Sequence, residues 1–255
     1  MSVFGNYARY YDLLYRDKKY TDEVNYIVSL LQRYAPESAS ILELGCGTGI
    51  HASLLAKAGY AVHGIDFSQE MLESAKARIA SFIEDAAERL SFCQGDIRSY
   101  RTDRVFDVAV SLFHVISYQI SEKDINAAIG TAKSHLKPGG IFVFDFWYGP
   151  AVLTDHPVVR VKRLEDDSIR VTRIAEPVMH PNENCVDVNY QVLIEDKATG
   201  IWERLEESHR MRYLFLPELD RMLDANGMTR LNAEEWMTGK ELGFDTWGGC
   251  VVARV

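Results

Sequence analysis

The chain has 255 residues, 47% of them hydrophobic, enough to bury a full core as one large domain or as a domain with an insertion, and not the composition of a disordered chain. A net charge of -9, with lysine and arginine scattered rather than blocked, leaves no electrostatic footprint for nucleic acid. The four cysteines, Cys46, Cys93, Cys185 and Cys250, form no Cys-x-x-Cys pair, which predicts reduced thiols and no metal site.

No basic, apolar leader opens the sequence and no run reaches the roughly eighteen apolar residues of a membrane span, so a soluble, cytoplasmic protein is expected. Residues 4–20 concentrate aromatics: Phe4, Tyr7, Tyr10, Tyr11, Tyr15 and Tyr20. A helix follows over 21–34, with Thr21 as its N-cap and Val24, Ile27, Val28, Leu31 and Tyr34 on one face. An apolar run at 41–44 then breaks at Gly45, and Gly47 and Gly49 follow before a helical pattern over 50–58. This is a strand, a tight turn and a helix. Glycine at every second position permits positive φ and lets a ligand lie against the main chain, beside the free N–H groups of the helix start.

A second strand, 60–65, ends in Asp66, where a carboxylate can accept both hydroxyls of a ribose; the ligand expected there carries an adenosine. Ser68 caps a helix with Met71, Leu72, Ala75 and Ile79 on one face. A third strand, 90–95, leads into Asp96 and Ile97 on the carboxyl rim of the sheet, where ligands of open parallel sheets bind. The fourth, 105–113, is almost continuously apolar, as expected when both faces are covered, and exits through His114 to Tyr118. Those two side chains are the ones near that rim able to exchange a proton near neutrality or to donate to a developing charge.

Ser121 caps a helix over 124–136, and the string LKPGG turns into a strand at 141–145 that leaves through the aromatic run 146–150. From Val158 the pattern changes to strand alternation, clearest at Val186, Val188, Tyr190, Val192 and Ile194, with neighbouring strands over 158–165, 168–179 and 201–215. Residues 151–213 therefore read as an inserted antiparallel sheet covering the mouth of the site, or as a dimer surface. Pro217 starts the last helix, Asn226-Gly227 ends it, and CVVARV forms a closing edge strand.

Glu43-x-Gly45-x-Gly47-Thr48-Gly49 closely resembles the signature loop of class I S-adenosylmethionine-dependent methyltransferases. The resemblance implies an α/β fold, a Rossmann-like doubly wound sheet of the seven-stranded methyltransferase type with an inserted antiparallel β-sheet. It implies S-adenosyl-L-methionine as cofactor, a core of residues 1–150 and 214–255, and a lid over about 1–35. Glu43 would sit near the methionyl ammonium beside Gly45, Cys46 and Gly47. Asp66 would bind the ribose, Phe67 and Met71 would touch the adenine, and Asp96 would hold its amino group with Ile97 on the ring. Tyr15 and Leu112 complete the cofactor set.

The resemblance implies Tyr11 facing the transferred methyl and makes the fourth-strand exit, with His114 and Tyr118, the place where donor and acceptor meet; Trp147 and Tyr148 on the rim wall the acceptor or seal the base of the next segment. The strings ELGCGTG, IDFS, QGDI and EESHRMRYLF together are similar to those of amino-sugar N,N-dimethyltransferases and of methyltransferases encoded with bacterial surface polysaccharides. In place of the Gly-Arg-Gly of the nucleotide-sugar enzymes stands Asp245-Thr246-Trp247-Gly248, with no arginine for a pyrophosphate. The expected acceptor is a small-molecule amine or hydroxyl on a sugar or polysaccharide precursor, and the expected assembly a monomer or homodimer. A neutral amine needs no strong base; for a hydroxyl, His114 is the candidate base and Tyr118 the orienting group. Two rivals are an NAD-dependent oxidoreductase, disfavoured by the glycine spacing and Glu43, and a scaffold that binds the cofactor without turnover.

Overall fold

The computed structural model describes residues 8–79 and 87–255, so Phe4 and Tyr7 and the first part of the expected lid lie outside the described residues. Five parallel strands carry the cofactor side: β1 (Ser40–Leu44), β2 (Ala61–Asp66), β3 (Leu90–Gln94), β4 (Phe106–Ser111) and β5 (Leu136–Tyr148). They lie in the order β3-β2-β1-β4-β5. The order reverses between β1 and β4, so a crevice opens at their carboxyl ends, where such sheets bind ligands.

The helices α1 (Ala8–Leu14), α2 (Tyr20–Tyr34), α3 (Ile50–Lys57), α4 (Gln69–Ile79), α5 (Glu122–Ser134), α6 (Gly149–Thr154) and α7 (Leu216–Ala225) accompany the strands. One buried cluster joins α5 and α7 to Leu44, Phe142, Phe144 and Phe146, and a second joins α2 and α3 to Ile41, Val108, Val110 and Val143. Alternate residues of β5 thus serve opposite faces, as the period-2 geometry of a strand requires. Ser121 accepts a hydrogen bond from Asp124 N–H at 3.1 Å and Ser68 one from Met71 N–H at 3.2 Å, as the N-cap pattern predicts.

Thr21 does not cap its helix: α2 begins at Tyr20, and Lys19 precedes it without a side-chain cap. Nor is the last strand an edge. β11 (Gly248–Arg254) is antiparallel to β5 on one side and to β10 (Thr229–Glu235) on the other. The strand β10 has no counterpart among the sequence expectations, because TRLNAEE alternates weakly and its partner lies some twenty residues on.

Residues β6 (Arg160–Glu165), β7 (Ile169–His180), β8 (Cys185–Asp196) and β9 (Trp202–Leu214) form an antiparallel meander. Among the described residues it pairs with the core sheet where Trp147 and Tyr148 of β5 meet Tyr213 and Leu214 of β9. The meander thereby stands on the carboxyl rim. Its inner face packs Val171, Val192 and Ile194 against Tyr10, Leu13 and Leu14 of α1.

Candidate active site

A cavity of about 540 Å³ occupies the crevice. Its floor is the turn after β1. Gly45, Gly47 and Gly49 have φ of 79, 53 and 73°. A Cβ on Gly45 would stand 2.6 Å from Val115 Cγ1, so that position is closed to side chains twice over, by backbone and by space. At Gly47 nothing lies within 4 Å of where a Cβ would be, and the main chain is open to the cavity there.

Asp66 fastens this turn to β2. Its Oδ2 accepts from Gly47 N–H at 2.8 Å and its Oδ1 from Ser68 N–H at 2.9 Å, while burial pushes its pKa up. Each oxygen keeps a further lone pair, the requirement for receiving a ribose hydroxyl. Phe67, 59% exposed, and the buried Met71 line the next stretch of wall, followed by Asp96 and Ile97. Arg98 binds the Asp96 carboxylate through Nε at 2.9 Å and Nη2 at 2.5 Å, which holds that carboxyl below its usual range and fixes its direction. Leu112, Cys46 and Tyr15 also line the cavity; burial raises the Cys46 thiol well above the ordinary range, so it is a neutral packing group.

Glu43 is not on the cavity surface. It is 1% exposed beneath the turn, with Oε2 buried and unpartnered among the described residues. Burial first, and the neighbouring Asp66 second, push its pKa up to about 8. A buried acceptor without a donor under a ligand-facing turn suits a bound cation better than a phosphate. The floor thus offers open main chain at Gly47, spare acceptors at Asp66 and a latent negative charge behind them, which fits a nucleoside with a cationic tail.

At the exit of β4, Phe113 and His114 both take left-handed φ, 67 and 62°. Such conformations cost roughly 1–3 kcal/mol each unless the surroundings enforce them. Asp145 supplies the enforcement: it is buried at the end of β5 and accepts from His114 N–H at 3.0 and 3.1 Å, with His114 Nδ1 2.7 Å from Oδ2. The reversal turns the imidazole toward the cavity beside Trp147, 6.3 Å away between ring centres. Tyr148, expected beside Trp147, points to the opposite face of β5. It packs against Phe146 in the α5/α7 cluster and does not line the cavity, because successive strand residues alternate.

The roof comes from two distant segments. From the N-terminus, Tyr11 and Tyr15 meet at a 54° tilt with ring centres 4.8 Å apart, and Tyr15 meets Phe113 edge-on at 5.0 Å. Asp12 latches α1 down by accepting from Thr48 Oγ1 of the glycine turn at 2.9 Å and from Arg78 of α4 at 2.6 Å. From the meander come Val188 and Tyr190 of β8 and His209 and Met211 of β9. Tyr118 bridges core and meander: its hydroxyl lies 2.7 Å from His209 Nδ1. Burial raises the Tyr118 phenol well above its usual range, with Tyr15, Tyr190 and Glu207 adding to the effect.

The structure therefore brings fourteen of the sixteen expected site residues to one cavity, all but Glu43 and Tyr148. It adds Phe113, Tyr190 and His209, with Asp145 behind His114. His209 lies in the string EESHRMRYLF, whose likeness to known enzymes was legible but whose role was not. Asp145 closes an apolar strand, the one acid in IFVFD.

Strand order, glycine turn and an acid at the end of β2 are those of the class I S-adenosylmethionine-dependent methyltransferase fold. A methyltransferase-domain family model matches residues 41–140. The chain is 29% identical over 225 residues to dTDP-3-amino-3,4,6-trideoxy-alpha-D-glucopyranose N,N-dimethyltransferase of Streptomyces venezuelae, covering 88% of this chain and 90% of that one. It is 28% identical over 252 residues to dTDP-3-amino-3,6-dideoxy-alpha-D-glucopyranose N,N-dimethyltransferase of Streptomyces fradiae, covering 98% and 92%. Among solved structures, Streptomyces venezuelae DesVI superposes with a TM-score of 0.79 at 25% identity, covering 96% of this chain and 97% of that one. A methyltransferase of Clostridium acetobutylicum superposes with a TM-score of 0.80 at 20% identity, covering 96% of each. The protein is an enzyme of this kind, with S-adenosyl-L-methionine as its methyl donor.

Proposed function

We propose that the enzyme methylates the amine of an amino sugar, and that residues 151–213 form a cover over a core of 1–150 and 214–255 whose N-terminal part, about 1–35, is the lid. The observation that carries this reading is the make-up of the acceptor end of the cavity: tyrosines, histidines and Trp147, while Arg98, the cation among the described lining residues, is held by Asp96. The named relatives from two Streptomyces species support a sugar amine.

S-adenosyl-L-methionine, when bound, supplies a methyl group already activated by its sulfonium. Glu43, Gly47, Asp66, Phe67, Met71, Asp96 and Ile97 would hold it along the floor. What the chain adds is alignment and exclusion of water, effects worth several kcal/mol when the reacting atoms meet in near-attack geometry. Tyr11, Tyr15 and Phe113 would close the space where the methyl lies, and a ring face turned to a cationic centre favours it. His114, held at its main chain by Asp145 and with its ring beside that carboxylate, would orient the acceptor; an amine attacking as the free base asks for no stronger base.

A second, smaller cavity shares His114 and Trp147 with the first and continues to Trp236, Trp247, Glu235 and Asp245. Indole faces and carboxylates suit a hydroxyl-rich or cationic sugar and repel a diphosphate, so the acceptor is read as a sugar without a nucleotide. The test is methyl transfer by the purified protein, followed as S-adenosylhomocysteine release, across free amino sugars, their nucleotide-diphosphate conjugates and hydroxyl-only sugars. Turnover of free amino sugars at the highest kcat/KM is the expected result. Preference for the conjugates would overturn the nucleotide-free reading, and turnover of hydroxyl sugars alone would overturn the amine.

A further inference from the structure

We propose that Tyr118, His209 and Glu207 form a proton outlet from the acceptor pocket, and that it allows the same amine to be methylated twice. The proposal rests on the amine reading above. When a neutral amine attacks, its lone pair forms the new N–CH3 bond while the S–CH3 bond breaks and its electron pair stays on sulfur. The product nitrogen is an ammonium. It has no lone pair, and a second transfer waits until one proton has gone.

The geometry supplies a path for that proton. Tyr118 lines the cavity and its hydroxyl is 2.7 Å from His209 Nδ1. A phenol donating to Nδ1 requires the imidazole to carry its hydrogen on Nε2, and Nε2 faces Glu207 Oε2 at 3.4 Å. Glu207 Oε1 in turn accepts from Tyr10 O–H at 2.7 Å, which holds the carboxylate in place from α1. The ammonium proton passes to the Tyr118 oxygen as the phenol's own proton passes to His209 Nδ1. An imidazolium results, facing the Glu207 carboxylate, and no electrons change hands. Tyr118 stays neutral at both ends of the step, as its burial demands.

The other groups around His209 are consistent with this task. Tyr190 of β8 meets it edge-on at 5.0 Å, and Arg173 of β7 lies 4.8 Å over the Tyr190 ring while donating to the Tyr15 hydroxyl of the N-terminal segment at 3.3 Å. With His209 neutral, the Arg173 and Glu207 charges cancel. His209 is 3% exposed and its ring meets Tyr118 and Tyr190, whereas His114 has Asp145 and Trp147 as neighbours, so the two histidines do not duplicate one another. His114 leans on Asp145 through a strained turn of the core, whereas His209 reaches the pocket only through Tyr118. Tyr118 is the group that touches the acceptor; His209 is a positioning residue behind it.

The experiment measures mono- and dimethylated product by mass spectrometry, using a free amino sugar, for wild type, Tyr118→Phe, His209→Asn and Glu207→Gln between pH 6.5 and 10. Wild type is expected to accumulate the dimethyl product. In Tyr118→Phe and His209→Asn both transfers should slow, the second by at least tenfold more than the first at pH 7. The deficit should close as the pH rises and the ammonium ionises unaided. Glu207→Gln should show the same pattern more weakly. A wild-type ratio of products in Tyr118→Phe and His209→Asn, or equal loss of both transfers with no recovery at high pH, overturns the proposal. So does nitrogen NMR of the S-adenosylhomocysteine complex showing the His209 hydrogen on Nδ1, whatever the activity data. A wild type that methylates only hydroxyls removes the amine reading and this role with it, a result distinct from all of these.

Discussion

The floor and the roof of the active cavity are built on opposite principles. The floor is main chain: three glycines at positive φ, N–H groups tied to the end of β2, and one carboxylate, Asp66, holding the turn from the next strand. The roof is side chain: rings from α1, from the exit of β4 and from the meander, meeting through contacts that span 91 residues between Tyr118 and His209 and 197 between Tyr10 and Glu207. A main-chain floor admits almost no substitution and recognises what is common to every turnover, the methyl donor. A side-chain roof can be rebuilt residue by residue and recognises what differs, the acceptor.

The sharpest way to break this comparison is at Gly45. In Gly45→Val a branched side chain would be forced to φ 79° with its Cβ 2.6 Å from Val115, and S-adenosylhomocysteine affinity should fall by more than about a hundredfold in calorimetry. If that variant bound normally, the floor would not be the donor site. Asp145→Asn tests the roof. It leaves one acceptor for the His114 N–H but removes the charge opposite the ring, so kcat should drop about tenfold while S-adenosylhomocysteine affinity changes less than about twofold. Equal loss of both would erase the division between donor and acceptor ends.

Asp12→Ala lies on the seam between the regions. It deletes the bonds from Thr48 Oγ1 and Arg78 that latch α1 onto the glycine turn, and since hydrogen bonds to charged groups contribute about 1.5–3 kcal/mol, stopped-flow should show cofactor release accelerated severalfold or more. Glu43→Gln should have the smallest effect and the opposite sign on stability. The folded-state pKa is raised, so the folded protein binds more protons than the unfolded chain between about 4.5 and 8, and stability falls as pH rises through that window. Removing the ionisation should raise Tm by a few degrees at pH 8, have no effect at pH 4.5, and weaken donor binding. A Tm gain at low pH alone would show that the buried carboxyl is not the source.

Most of the core was legible because its signals are local. Glycine spacing, apolar runs and an acid at a strand's end are written within a dozen residues, and each expected strand of the parallel sheet appears near its predicted place. Most of the cofactor side of the cavity follows from the same rule, since all of those residues but Met71 of α4 and Tyr15 after α1 sit at or near the end of a strand. Tyr148 failed because the expectation counted its aromatic neighbours and not the alternation that sends it to the other face of β5. The edge position of β11 failed because β10 is too polar to announce itself. Glu43 was placed against the ligand, but it lies one layer deeper, under the turn.

Taken alone, the sequence determined the donor, through a short contiguous stretch whose backbone chemistry leaves few alternatives. Tertiary structure alone decided the acceptor end. It set His114 on Asp145 across 31 residues and Tyr118 on His209 across 91, and it raised the meander on the rim by a two-residue pairing of β5 with β9. Contacts at such separation are settled by how the layers pack, and no pattern within either segment records which distant side chain it will meet.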